Sequence, residues 1–124
     1  MKSVLVVDDS LFMRTLIITY LKRHDFTIAG QAENGESAVA QYIELRPDIV
    51  TLDITMPIMD GLEALKQIIK IDKSAKVIMV SSMGQEIMVI EAVKSGAKNF
   101  IVKPFNEKTV IDTLNEVLRN RQEI

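Results

Sequence analysis

The sequence predicts an α/β protein, a doubly wound five-stranded parallel sheet with helices on both faces, and three observations predict it. Five short runs rich in aliphatic and β-branched residues alternate with five stretches whose apolar residues recur at helical spacing. Strands separated by helices pair in parallel through right-handed crossovers, which puts helices on both faces of the sheet. Four of the runs also end on polar residues: Asp8-Asp9, Asp53, Ser81 and Lys103. A strand buried on both faces has no reason to finish on a carboxylate unless its end opens into a polar site. In such sheets the ligand site lies beyond the carboxyl ends of the strands.

Taken in order, Val4 to Val7 reads as the first strand. Asp9 or Ser10 can cap a helix in which Leu11, Phe12, Leu16, Ile17 and Leu21 keep helical spacing up to Arg23. Phe26 to Ala32 is a second strand, closed by the turn signal Asn34-Gly35. Glu36 to Leu45 is helical and stops before Pro47; Ile49 to Leu52 is the third strand and runs straight into Asp53. Pro57 and Gly61 punctuate the loop that follows, and Asp60-Gly61 reads as turn and cap for a helix from Leu62 to about Ile71. Val77 to Val80 is the fourth strand, and Gln85 to Lys94 is a helix stopping near Gly96. Phe100 to Val102 is the fifth strand, and Asn106 caps a last helix reaching about Arg121.

With 124 residues, 48% of them apolar and 26% charged, the chain is long enough for one domain to bury its own core. The absence of cysteine excludes disulfides and thiolate metal sites. The first apolar run is too short for a signal peptide, and nothing approaches the length of a membrane span, so a cytoplasmic location is expected. Net charge is -2, from 15 basic and 17 acidic residues interspersed along the chain. No basic stripe points to nucleic acid or to a membrane surface.

The strand ends define the chemistry. Three carboxylates held close repel one another and need a cation between them at neutral pH. Oxygen ligands with no His or Cys nearby favour a hard ion, and Mg²⁺ with several retained waters fits. Lys103 adds a compact positive charge and Ser81 a hydroxyl donor. Together they make a site for a phosphoryl group that Asp53 attacks in line, giving an aspartyl phosphate.

These residues match a family. Over essentially its whole length the chain resembles the response-regulator receiver domains: the Asp8-Asp9 pair, Asp53 with Met56-Pro57 and Asp60-Gly61, Ser81, and Lys103-Pro104-Phe105. The resemblance implies one receiver domain over residues 1–124, flavodoxin-like, with strand order 2-1-3-4-5; that order comes with the family and not from periodicity. It implies Asp53 as phosphoacceptor, served by a histidine kinase or by small phosphodonors, and Mg²⁺ held by Asp8, Asp9, Asp53 and the backbone carbonyl of Thr55. Lys103 then pairs with the phosphoryl group, and its bond to Pro104 is usually cis; Ser81 is the switch hydroxyl and Phe100 the switch aromatic. Such a protein catalyses only its own phosphorylation and dephosphorylation. Thr55 and Met83, which in the family flank the path of hydrolytic water, are neither acidic nor amide, so dephosphorylation should depend on a separate phosphatase.

The segment Ser82 to Glu86 and the chain length look most like the short chemotaxis members, whose kinase is of the chemotaxis type and whose target is the flagellar motor switch protein. Two alternatives within the family are a receiver cut from a multidomain regulator such as a transcription factor, with Arg119 to Arg121 beginning a linker, and a phosphorelay intermediate. From another class, an aspartyl-phosphate hydrolase needs a second Asp two residues past the nucleophile, where this chain has Thr55. ATP hydrolysis lacks its Gly-rich phosphate loop.

One helical stretch resists a core assignment. Ile87-Met88-Val89-Ile90 puts four apolar residues in a row at roughly 100° per residue, so the run goes round the helix. Met88 or Val89, beside Phe100, is therefore expected on a partner-binding face, which in the family is formed by the fourth helix, fifth strand and fifth helix.

Overall fold

The computed structural model describes residues 1–120, in which strands and helices alternate from end to end. The elements are β1 (Lys2–Val7), α1 (Leu11–Lys22), β2 (Phe26–Ala32), α2 (Gly35–Leu45), β3 (Ile49–Asp53), α3 (Gly61–Ile71), β4 (Val77–Ser82), α4 (Glu86–Lys94), β5 (Asn99–Lys103) and α5 (Glu107–Arg119). The strands form one sheet in the order β2-β1-β3-β4-β5, with every pairing parallel. This is the doubly wound fold expected from the alternation, in the order the family resemblance implied. The element boundaries differ from those expected by a residue or two: β1 begins at Lys2, and α5 is described to Arg119, so the expected end near Arg121 lies outside the described residues.

Both faces of the sheet are covered, which is why the strands read as unbroken apolar runs rather than as alternating ones. Successive side chains still go to opposite sides. Val4 and Val6 join Ile49, Ile78 and Ile101 under α1 and α5, where Ile17, Leu21, Val110 and Leu114 meet them. Leu5 and Val7 join Val50, Leu52, Val77 and Met79 under the other helices, against Ala38, Tyr42, Leu65, Ile68 and Ala92. Each aliphatic side chain buried this fully contributes roughly 1.5–3 kcal/mol.

Four helices begin on a side-chain cap. Ser10, Asn34, Asp60 and Asn106 each accept a hydrogen bond from the backbone N–H three residues on. The exception is α4, whose first flanking residue, Gln85, makes no such bond. In α1 the apolar spacing misleads at its start: Ile17 and Leu21 are buried, but Leu11 and Phe12 are 65% and 72% exposed.

Candidate functional site

The register of the sheet assembles the site. In β1 and β3, Val7 pairs with Leu52, so the residues that follow, Asp8 and Asp53, leave the sheet side by side. Asp53 pairs with Val80, one residue before Ser81, and Ser82 pairs with Lys103. Carboxylates, hydroxyl and ammonium thus sit along one edge because parallel strands in register end together.

Asp8, Asp9 and Asp53 each offer a carboxylate oxygen within 4.8 Å of the others. Asp8 and Asp53 are buried, at 1% and 6% exposure, as is Ser81 at 1%, whereas Asp9 faces solvent. The Lys103 Nζ lies 3.1 Å from Asp8 Oδ2 and 3.4 Å from Asp53 Oδ1. One cation therefore faces two buried anions, with a third beside them.

That imbalance shows in the protonation behaviour. Burial, followed by the Asp8 charge, pushes the Asp53 carboxyl up to about 6, even though Lys103 pulls the other way. Burial pulls the Lys103 ammonium down, but Asp53 and Asp8 outweigh it and hold it above its ordinary range. Asp8 Oδ1 accepts a hydrogen bond from Ser10 N at 2.9 Å, whereas the buried Oδ2 has no hydrogen-bond donor, Lys103 approaching it only as an ion-pair partner. A buried carboxylate oxygen met only by the Lys103 ammonium, within a cluster of three carboxylates, fits a divalent cation such as Mg²⁺, which takes one or two carboxylates and keeps several waters.

The loop after β3 is shaped around Asp53. Asp60 accepts from Glu63 N at 2.9 Å and caps α3, as turn chemistry predicted. Gly61 N donates to Ile54 O at 2.7 Å, and a Cβ on Gly61 would run into the Asp53 carbonyl oxygen. Only glycine lets the helix start so close to that strand end. Thr55, two residues past Asp53, is exposed. The Lys103-Pro104 bond is cis, as the resemblance implied.

Phe100 is 43% exposed and stands over a groove of about 490 Å³ between α4 and β5. Ser81, at the inner end, and Val89, Ile90, Val93 and Val102 line it. Here one expectation needs correction. Val89 is 9% exposed and belongs to the core, so it is not a surface residue; Met88 is 45% exposed but does not line the groove. With Val89 and Ala92 turned inward, the apolar side chains presented beside Phe100 are Ile90 and Val93, at 55% and 48% exposure.

Two contacts at the site were not foreseen. Arg14 on α1 donates from Nη1 to the Asp8 carbonyl oxygen at 2.7 Å and from Nε to Gln31 Oε1 at 2.9 Å, fixing the end of β1 to β2. Gln85 donates from Nε2 to Thr55 Oγ1 at 2.8 Å and accepts from Ser82 N at 2.7 Å, joining the loops after β3 and β4. A lone Arg in a first helical turn carries no signal of such a role. The Gln at the head of α4 offers only the weak one that it sits where a capping residue belongs.

Comparison with known proteins agrees with this geometry. The pattern of the response regulator receiver domain matches residues 4–115. A chemotaxis protein CheY of Thermotoga maritima is 54% identical over 116 residues, covering 94% of this chain and 97% of its own. A chemotaxis protein CheY of Listeria monocytogenes is 56% identical over 119 residues, covering 96% of this chain and 100% of its own. The CheX–CheY complex of Borrelia burgdorferi with BeF₃ and Mg²⁺ contains a chain that superposes with a TM-score of 0.92 at 41% identity, covering 96% of this chain and 90% of that one. Among the described residues no helix is long and apolar enough to cross a membrane. With near-complete coverage on both sides and the strand-end carboxylates assembled in one pocket, the chain belongs to the response regulator receiver family, among its CheY-like chemotaxis members.

Proposed function

We propose that residues 1–124 form one receiver domain acting as a phosphorylation-driven switch of a two-component system, with Asp53 as phosphoacceptor. The observation that carries this reading is the convergence of Asp8, Asp9 and Asp53 within 4.8 Å, with the Lys103 ammonium against two of them. In the transfer an Asp53 oxygen bonds to phosphorus as the P–N bond of a phosphohistidine donor breaks, its electron pair staying on the leaving imidazole. Asp8, Asp9, Asp53 and the Thr55 backbone carbonyl would hold Mg²⁺, which when bound supplies positive charge to the phosphoryl oxygens. Lys103 pairs with the new phosphoryl group, and the Ser81 hydroxyl donates to it.

Ser81 also lines the inner end of the groove under Phe100, so its movement towards Asp53 changes the space into which that ring can turn. The face between α4 and β5 is thereby reshaped for a protein target, the flagellar motor switch in this reading. A chemotaxis-type histidine kinase supplies the phosphoryl group. Thr55 and Met83, both exposed and neither acidic nor amide, support reliance on a separate phosphatase for its removal. That the Borrelia burgdorferi CheY forms a complex with CheX, BeF₃ and Mg²⁺ supports a phosphoryl chemistry with Mg²⁺ and a protein partner for this chain.

The test is mass spectrometry after exposure to a small phosphodonor and Mg²⁺, which should place phosphate on Asp53. Label persisting at wild-type level in Asp53→Asn refutes the assignment. Binding to the N-terminal peptide of the motor switch protein, with and without beryllofluoride, then tests the target.

A further inference from the structure

The Gln85 side chain is fully engaged at both ends, and both ends lie on loops that carry the reactive groups. Its amide nitrogen donates to Thr55 Oγ1 at 2.8 Å, two residues past Asp53. Its amide oxygen accepts from Ser82 N at 2.7 Å, one residue past Ser81. The Gln85 backbone N–H returns a bond to Ser82 O at 3.2 Å, closing a tight turn through Gly84, whose φ of 95° suits glycine. Ser82 N is the last N–H of β4, and it leaves the strand ladder for this side chain.

The position of that N–H gives the contact a meaning. Ser82 is the register partner of Lys103, whose ammonium is 3.4 Å from Asp53 Oδ1, and its neighbour Ser81 is buried and follows Val80, the register partner of Asp53. A phosphoryl group on Asp53 brings strong acceptor oxygens, and charged acceptors bind N–H donors more strongly than a neutral amide oxygen does. The Gln85 carboxamide thus occupies the N–H donor at the strand end beside Lys103, while Phe100 is 43% exposed.

We propose that Gln85 is a latch: its carboxamide holds Ser82 N–H and Thr55 together and keeps the β4–α4 loop in the resting arrangement until a phosphoryl group on Asp53 displaces it. This rests on the reading of Asp53 as phosphoacceptor. Breaking the bond to Ser82 also releases the uncapped start of α4, so one displacement reaches both the pocket and the helix beside Phe100. Gln85 is a positioning residue, since its role is to set where Ser81 and Ser82 stand.

The experiment measures beryllofluoride affinity at saturating Mg²⁺ by ¹⁹F NMR for wild type, Gln85→Met, Thr55→Val and the double variant. Gln85→Met keeps the length of the side chain but can neither donate to Thr55 nor hold Ser82 N–H at rest, so it is expected to bind about three- to tenfold more tightly, the worth of a neutral hydrogen bond. Thr55→Val should shift affinity in the same direction by less, and the double variant should go no further than Gln85→Met alone. The Ser82 amide proton should shift when wild type takes up the mimic, whereas in Gln85→Met the mimic-free amide should already exchange with solvent. Gln85→Met binding like wild type or more weakly overturns the latch, as do effects that multiply in the double variant. Failure of wild type to form the adduct overturns the phosphoacceptor reading and the latch with it.

Discussion

Replacing Asp53 by Asn is expected to stabilise the metal-free protein at neutral pH while abolishing its phosphorylation. The carboxyl is 6% exposed, and burial with the Asp8 charge lifts its pKa from 3.8 to about 6. One pKa unit is worth about 1.4 kcal/mol, so keeping this group ionised inside the fold costs about 3 kcal/mol relative to the unfolded chain. Because the folded-state pKa lies above the unfolded one, the native protein binds the extra proton in the window between those two values. The contribution of Asp53 is therefore most favourable below the unfolded pKa, falls as pH rises through about 6, and stays lost at neutrality. Asn carries no charge, and Lys103 keeps Asp8 at 3.1 Å as its partner.

Part of the gain is offset because the Asn amide needs hydrogen bonds of its own, leaving about 1–3 kcal/mol at pH 7. The chain has no tryptophan, so the assay is urea unfolding followed by far-ultraviolet circular dichroism, in EDTA, at pH 7 and at pH 4. The advantage of the variant should shrink at the lower pH. Mg²⁺ at about a hundred times its Kd adds about 2.7 kcal/mol to a protein that binds it only when folded, enough to bring wild type level with the variant. A variant no more stable than wild type at pH 7 in EDTA, or one whose advantage is undiminished at pH 4, refutes the reasoning.

Gly61→Ala should destabilise by about 1–3 kcal/mol, because the new Cβ meets the Asp53 carbonyl oxygen, and should slow labelling by a small phosphodonor. Urea unfolding and the labelling rate check both effects, and a variant with wild-type values for each would show that the loop yields freely. Val89→Ser should cost at least about 1 kcal/mol as a core change, whereas Ile90→Ser and Val93→Ser should stay within about 0.5 kcal/mol and weaken only mimic-dependent partner binding. Ile90→Ser or Val93→Ser unfolding as readily as Val89→Ser would place them in the core instead.

What the sequence made legible was what local chemistry decides. The strand ends stood out because Asp8, Asp53 and Lys103 each follow an apolar run directly, and parallel strands in register bring such ends together. Caps at Ser10, Asp60 and Asn106 were legible for the same reason, the side chain acting on a backbone three residues away. The phase of α4 was not. Four consecutive apolar residues point all round a helix, and whether Val89 or Ile90 goes inward is set by how Val89 and Ala92 dock on the sheet, a tertiary matter. Leu11 and Phe12 misled similarly: they have helical spacing, yet they stand in the first turn of α1, where neither joins the core that Ile17 and Leu21 reach. Arg14 and Gln85 left little or no signal because their partners Gln31 and Thr55 are close only once the strands are paired.

These same features single out α4 as the element that can respond. It has nine residues, only Val89 and Ala92 are buried, and its first turn lacks the side-chain cap that α1, α2, α3 and α5 possess. By contrast α3 and α5 each bury four residues, and α1, which also buries only two, is capped by Ser10. A helix with few anchors opens or shifts at lower free energy than its neighbours, so a charge change in the pocket is spent there first. The loop at its head runs from Ser81, which lines the groove and follows the register partner of Asp53, through Gly84 to Gln85. On its flank lies the groove of about 490 Å³, which the half-exposed Phe100 lines. The rigid sheet holds the carboxylates and Lys103 in register, which the charge chemistry requires, and leaves the response to the helix that is both sparsely buried and without a side-chain cap.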